Sequence, residues 1–143
     1  MATYQTGDLK NNLMKLKRWV EKIKFPGIVE YSTIASGDPK QLLSILHYIL
    51  LDFSPSIARS LADEGFELYG TTDRRFIEGV FRYMIEKFNY RPSLTFTQFL
   101  TNHFAEPKII FTCETIARVT KRQRELQNAK VRARSVWNNP GTM

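Results

Sequence analysis

Lys10, Lys15, Lys17, Arg18 and Lys22 crowd one short stretch of this chain, and Arg118, Lys121, Arg122 and Arg124 crowd another. Such side chains act through charge, docking against an acidic surface or polymer without making or breaking a bond. The wider segments keep the same sign. Residues 1–24 hold six Lys or Arg against two acids, residues 118–134 hold seven against one, and residues 25–117 hold eight against eleven. The ends contribute +4 and +6 and the middle −3, so the formal +7 comes from the two terminal segments. A solvated face opposite a core explains one basic helix equally well, and the second cluster is what favours docking. These nine bases are the candidate contacts. Arg118, Lys121 and Arg122 recur at i, i+3 and i+4, with Glu125 as the acid placed to neutralise them. If the first and last helices lie side by side, the two clusters merge into one positive face.

Other reactive residue types lack companions. Cys113 is the one cysteine, which excludes an internal disulfide, and its neighbours Ile109, Ile110, Phe111 and Ile116 mark it as a small buried hydrophobe. His47 sits in the most apolar stretch and reads as a hydrogen-bonded core or rim histidine, while His103 has no second ligand at metal spacing. There is no Gly-rich phosphate loop, nucleophile elbow or zinc signature. Asp63 and Glu64 are adjacent, and adjacent helical residues do not face one another. The expectation is a protein that is not an enzyme and uses no cofactor and no metal. Arg74 and Arg75 are expected to form internal salt bridges with Asp73, Glu78, Asp63 or Glu64.

The elements that must carry the basic residues are helices. From Leu9, the apolar residues Leu13, Leu16, Val20 and Ile23 follow at helical steps, with Asp8 or Thr6 as cap and Pro26-Gly27 as the stop. On a wheel of about 100° per residue, Lys10, Lys17 and Lys24 take one flank of that stripe and Lys15, Arg18 and Lys22 the other, with Trp19 half buried beside it. Asp38-Pro39 opens a helix whose residues Leu42, Leu43, Ile45, Leu46, Ile49, Leu50 and Leu51 leave almost no polar face, so it is the central buried one. Ser54-Pro55 caps a shorter helix closed by Gly65. Thr72 or Asp73 opens another, with Phe76, Ile77, Val80, Phe81, Met84, Ile85 and Phe88 at core spacing, ended by Arg91-Pro92. Thr95 and Gln98 form a capping-box pattern. Glu106-Pro107 starts the last long helix, with Ile109, Cys113, Ile116 and Val119 as its stripe.

Strand evidence is thin. Residues 27–35 and 66–69 carry β-branched or aromatic residues but neither alternates cleanly. The fold class expected is all-α, one compact domain of six or seven helices over residues 6–126. Residues 127–143 are expected to be a basic, frayed or disordered extension, or else a helix that continues further, because the apolar stripe is lost and Asn138-Asn139-Pro140-Gly141 cannot continue a helix. A chain of 143 residues with 43% hydrophobic composition is sufficient for a substantial core. No apolar run approaches the roughly 20 residues of a membrane span, and the first residues lack a secretory pattern, so a soluble intracellular protein without a membrane partner is expected.

The motifs Thr6-Gly7-Asp8-Leu9, Gly37-Asp38-Pro39, Phe53-Ser54-Pro55, Asp73-Arg74-Arg75-Phe76, Phe88-Asn89-Tyr90-Arg91-Pro92, Leu94-Thr95, Gln98-Phe99, Phe104-Ala105-Glu106 and Lys108-Ile109 occur together and in order. In this respect the chain resembles the N-terminal domain of the centrosomal protein of 44 kDa family, over most of residues 6–126. Leu16-Lys17-Arg18-Trp19-Val20 is similar to the opening of calponin-homology domains. The resemblance implies a calponin-homology-like helical domain, a location in the cytoplasm and cytoskeleton at the centrosome or centriole, adjacency of the termini, and microtubules as partner. Tubulin presents acidic surfaces and tails, which suit the nine bases above. Two other readings stay open: a scaffold that docks other centriolar proteins, and a nucleic-acid binder, for which no helix-turn-helix spacing, RNP-like strand or zinc finger is present.

Overall fold

A computed structural model describes residues 7–138 of the chain, and side chains over 8–135. Seven α-helices follow in order: α1 (Gly7–Lys22), α2 (Tyr31–Ala35), α3 (Lys40–His47), α4 (Pro55–Asp63), α5 (Asp73–Phe88), α6 (Phe96–Phe99) and α7 (Ala105–Asn138). A π-helical turn, Tyr48–Asp52, continues α3. Among the described residues there is no strand. The chain is all-α, as its periodicity implies. Of the two stretches with weak strand character, residues 27–35 end in α2, and residues 66–69 are irregular chain that buries Phe66 and Leu68.

Local chemistry sets most of the boundaries. Ser54 Oγ accepts from Ile57 N with Pro55 in the first turn of α4, and Thr72 Oγ1 accepts from Arg75 N at 3.2 Å to open α5. Thr95 and Gln98 close a reciprocal capping box on α6, with bonds of 3.1 and 2.9 Å. Each satisfies amide donors that a helix start leaves without partners. Asn89 ends α5 in the left-handed region. Asp38 acts one step earlier than a standard cap: Oδ1 accepts from Lys40 N at 2.9 Å and Pro39 holds the cap position itself. Thr6, the alternative cap for α1, lies outside the described residues.

The core forms around α3 and α7. Leu42, Leu43, Ile45, Leu46, Ile49 and Leu50 are buried, as expected of the central helix. Leu9, Leu16, Val20 and Ile23 of α1, Phe76, Ile77, Val80, Phe81 and Met84 of α5, and Ile109, Cys113, Ile116 and Val119 of α7 complete the same cluster. α7 packs against α1, α2, α3, the π-helical turn and α4, which makes it the spine of the domain. Tyr48 in the π-helical turn donates its hydroxyl to Ile23 O at 2.9 Å, fixing the end of α1.

Residues 127–138 continue α7 as helix. Their Gln, Ala, Lys and Arg content favours helix without burial, and Lys130 Nζ donates to Ser56 Oγ of α4 at 3.0 Å. Leu126 is the last side chain of α7 packed against the core, and residues 127–135 are exposed. Residues 139–143 lie outside the described residues.

Candidate basic docking surface

α1 buries one stripe and turns the rest to solvent, so Lys10, Lys15, Lys17, Arg18 and Lys22 are all exposed. None of the five forms an ion pair with an acid among the described residues. Lys22 Nζ lies 5.0 Å from the centroid of the half-buried Trp19 ring, a cation–π contact that leaves the charge available. Asp8 in the first turn and Lys22 in the last suit the helix dipole.

The first and last helices are neighbours, and among the described residues α1 and α7 share the most extensive helix–helix contact. Asn12 Nδ2 donates to Glu106 Oε2 at 3.1 Å across 94 residues of sequence. About one turn on, Lys15 is near enough to act on the Cys113 thiol. Burial pushes that thiol up to about 12, with Lys15 pulling the other way. Asn12, Trp19, Lys15 and Lys22 share the α7-facing half of α1, whereas Lys10 and Lys17 lie on its far flank.

The bases of α7 divide between two sides of that helix. Helical spacing puts Arg124 in the sector of Glu106 and Cys113, toward α1. Arg118, Lys121 and Arg122 instead line a depression with Phe88 and Glu125 beside the end of α5. The single merged face expected from the charge pattern is thus split, because about 100° per residue carries 118 and 122 away from 124.

Two of these bases also have partners that the sequence reading did not assign. Arg118 pairs with Glu114 and lies 4.8 Å over the Tyr90 ring. Burial raises the Tyr90 pKa, Glu114 adds to the rise and Arg118 opposes it. Arg122 is 4.0 Å from both Glu64, at the end of α4, and Glu125. Its Nε is buried without a hydrogen-bond partner among the described residues, as is the Tyr83 hydroxyl. Glu125 is therefore not the sole acid for this cluster. Lys121 and Arg124 are exposed and have no acid partner among the described residues.

Arg74 and Arg75 also depart from expectation. Neither forms a salt bridge among the described residues. Arg74 instead sits 5.5 Å from the Phe96 ring centroid, and of the four acids expected to pair with these arginines Glu64 is taken by Lys87 at 3.1 Å. His47 is a half-buried rim residue stacked on Phe76 at 3.6 Å between ring centroids. Burial lowers its pKa, with Asp73 and Asp52 opposing. No group of three or more His, Cys, Asp or Glu among the described residues could hold a metal.

Lys108 is the polar residue that the sequence reading missed. It is fully buried, and its Nζ donates to Gly37 O at 2.5 Å and to Thr101 O. Gly37 has φ +104, and a Cβ there would stand 2.4 Å from Asn102 O, so only glycine permits this approach. Lys108 thereby ties the α2–α3 and α6–α7 connections to the start of α7. Positions 108, 112, 115 and 119 fall on one helical stripe and all four are buried, but three of them are polar, so their types alone do not mark the stripe as interior.

The geometry defines the class: an all-helical domain whose basic first helix is seated on a long last helix. Comparison with known proteins places it more closely. The profile of the family described as "Centrosomal spindle body, CEP44" matches residues 8–133, and the chain belongs to that family of centrosomal proteins. It is similar to the centrosomal protein of 44 kDa of Xenopus tropicalis, at 39% identity over 85% of this chain and 31% of that protein. The Bos taurus protein of the same name is 37% identical over 86% of the chain and 32% of its own length. For the Homo sapiens protein the identity is 34% over the same two shares. The chain spans about a third of the length of these relatives.

Proposed function

We propose that this domain attaches to microtubules at the centrosome, through the basic face of α1 docking on acidic tubulin. The observation that carries this reading is that five bases on one helix are exposed and have no acid partner among the described residues. Arg124 extends the face along α7 and Lys121 adds charge beside it, whereas Arg118 and Arg122 serve first in internal pairs. The protein acts in the cytoskeleton of the cytoplasm as a binding module, without catalysis or cofactor. The seven helices are read as a calponin-homology-like arrangement on the strength of the resemblance.

Each exposed charge pair is worth only about 0.2 to 1 kcal/mol. Useful attachment therefore needs several bases acting together or several copies on one lattice. The test is co-sedimentation with polymerised microtubules across a salt series, with duplex DNA as competitor. Pelleting that weakens steeply with salt and resists DNA supports the reading; absence of pelleting at low salt by a folded chain rejects it. A second reading, docking of another centriolar protein, rests on Phe104, an aromatic 43% exposed and held at φ +62. A bulky residue in the left-handed region costs on the order of 1 to 3 kcal/mol, and strain of this kind clusters at binding sites.

A further inference from the structure

We infer that the α1 face grips a folded acidic surface rather than a flexible acidic tail, with Met14 as its apolar centre. The inference rests on the microtubule reading and specifies which part of tubulin is met. Met14 is 46% exposed. Helical geometry puts it well over a quarter turn from the core stripe of Leu9, Leu16, Val20 and Ile23, so packing within the domain does not account for it. Its neighbours one turn away are Lys10 at i−4, Lys17 at i+3 and Arg18 at i+4, all exposed and without an acid partner among the described residues.

The arrangement is a deformable apolar side chain ringed by cations. Methionine adapts to irregular surfaces, and central apolar contacts surrounded by charge carry affinity that a charge ring alone lacks. A tail of acidic residues satisfies the cations but offers no fixed apolar surface for the thioether to pack against. A folded acidic surface offers both. Charge complementarity thus selects an acidic partner, and Met14 selects its ordered body.

The test compares pelleting of the wild-type chain, Met14→Gln and Lys17→Glu on intact microtubules and on microtubules whose acidic tails have been removed by protease. Far-ultraviolet melting checks that each variant is folded. The expected result is that the wild-type chain still pellets with tail-less microtubules, and that Met14→Gln weakens binding about tenfold on both lattices with an unchanged salt dependence, while Lys17→Glu reduces that dependence. Wild-type binding that requires the tails, with Met14→Gln equal to wild type, overturns the inference and leaves the microtubule reading in place. Failure of the wild-type chain to pellet with either lattice overturns both.

Discussion

Asn12, in the second turn of α1, donates to Glu106, in the first turn of α7, at 3.1 Å between Nδ2 and Oε2. This bond joins residues 94 apart in sequence and orients the basic helix on the spine of the fold. Because it is partly buried and has a charged acceptor, Asn12→Ala should cost roughly 1 kcal/mol. The check is a urea titration: the midpoint falls while the slope is unchanged. A midpoint equal to wild type removes the bond from the account of how α1 is held.

Lys108 gives a pH signature with a definite sign. Burial pushes its ammonium down to about 8, with Asp38 opposing. An unfolded lysine keeps its proton to about 10.5, so between pH 8 and 10.5 the unfolded state binds more protons and this residue makes stability rise with pH. Cys113 and Tyr83, both pushed up to about 12 by burial, act oppositely at high pH, because their unfolded forms ionise first. The difference between wild type and Lys108→Met isolates the lysine. Chemical denaturation at pH 7.5 and 9.5 should find wild type gaining on the variant at the higher pH, and parallel profiles would contradict the assignment.

Arg122 and Lys17 should separate stability from attachment. Arg122 is paired to Glu64 and Glu125, and its side chain is 26% exposed. Arg122→Glu sets three acids together and should lower stability by about 1 to 3 kcal/mol. Lys17→Glu should leave the melting temperature within about a degree and weaken microtubule pelleting. If thermal melting instead finds Arg122→Glu as stable as wild type, that arginine is free for a contact.

The Cys113 thiol is 5% exposed with its pKa pushed up to about 12. Reagents that require a thiolate should therefore fail to modify the folded chain at pH 8. A disulfide reagent read by absorbance should give no reaction over minutes in buffer and one equivalent at once in guanidinium. Prompt reaction in buffer would show that the α1–α7 seam opens.

What was legible in the sequence is what depends on near neighbours. Ser54-Pro55 and Thr95 with Gln98 act within three residues, so their caps are readable before any fold is known. The stripe of Leu16, Val20 and Ile23 likewise fixes which side of α1 is wet, and with it the exposure of the five bases there. The Arg122–Glu64 pair and the Lys108 bond to Gly37 join residues that only tertiary packing brings together, so nothing local announces them. Arg118 with Glu114 is different: an i, i+4 pair is local, and its spacing is legible in the sequence. The division of the α7 bases between two sides follows from periodicity, but which side meets α1 is known only once Asn12 is seen on Glu106.

The central claim is that attachment resides on α1. It is tested most directly by the dissociation constant for microtubules, at low salt, of a chain carrying Lys10→Glu, Lys17→Glu and Arg18→Glu together. We predict a loss of roughly 10- to 100-fold relative to wild type, as expected for three exposed charges acting jointly, with the melting temperature unchanged. Equal affinity in a variant that remains folded would contradict the account.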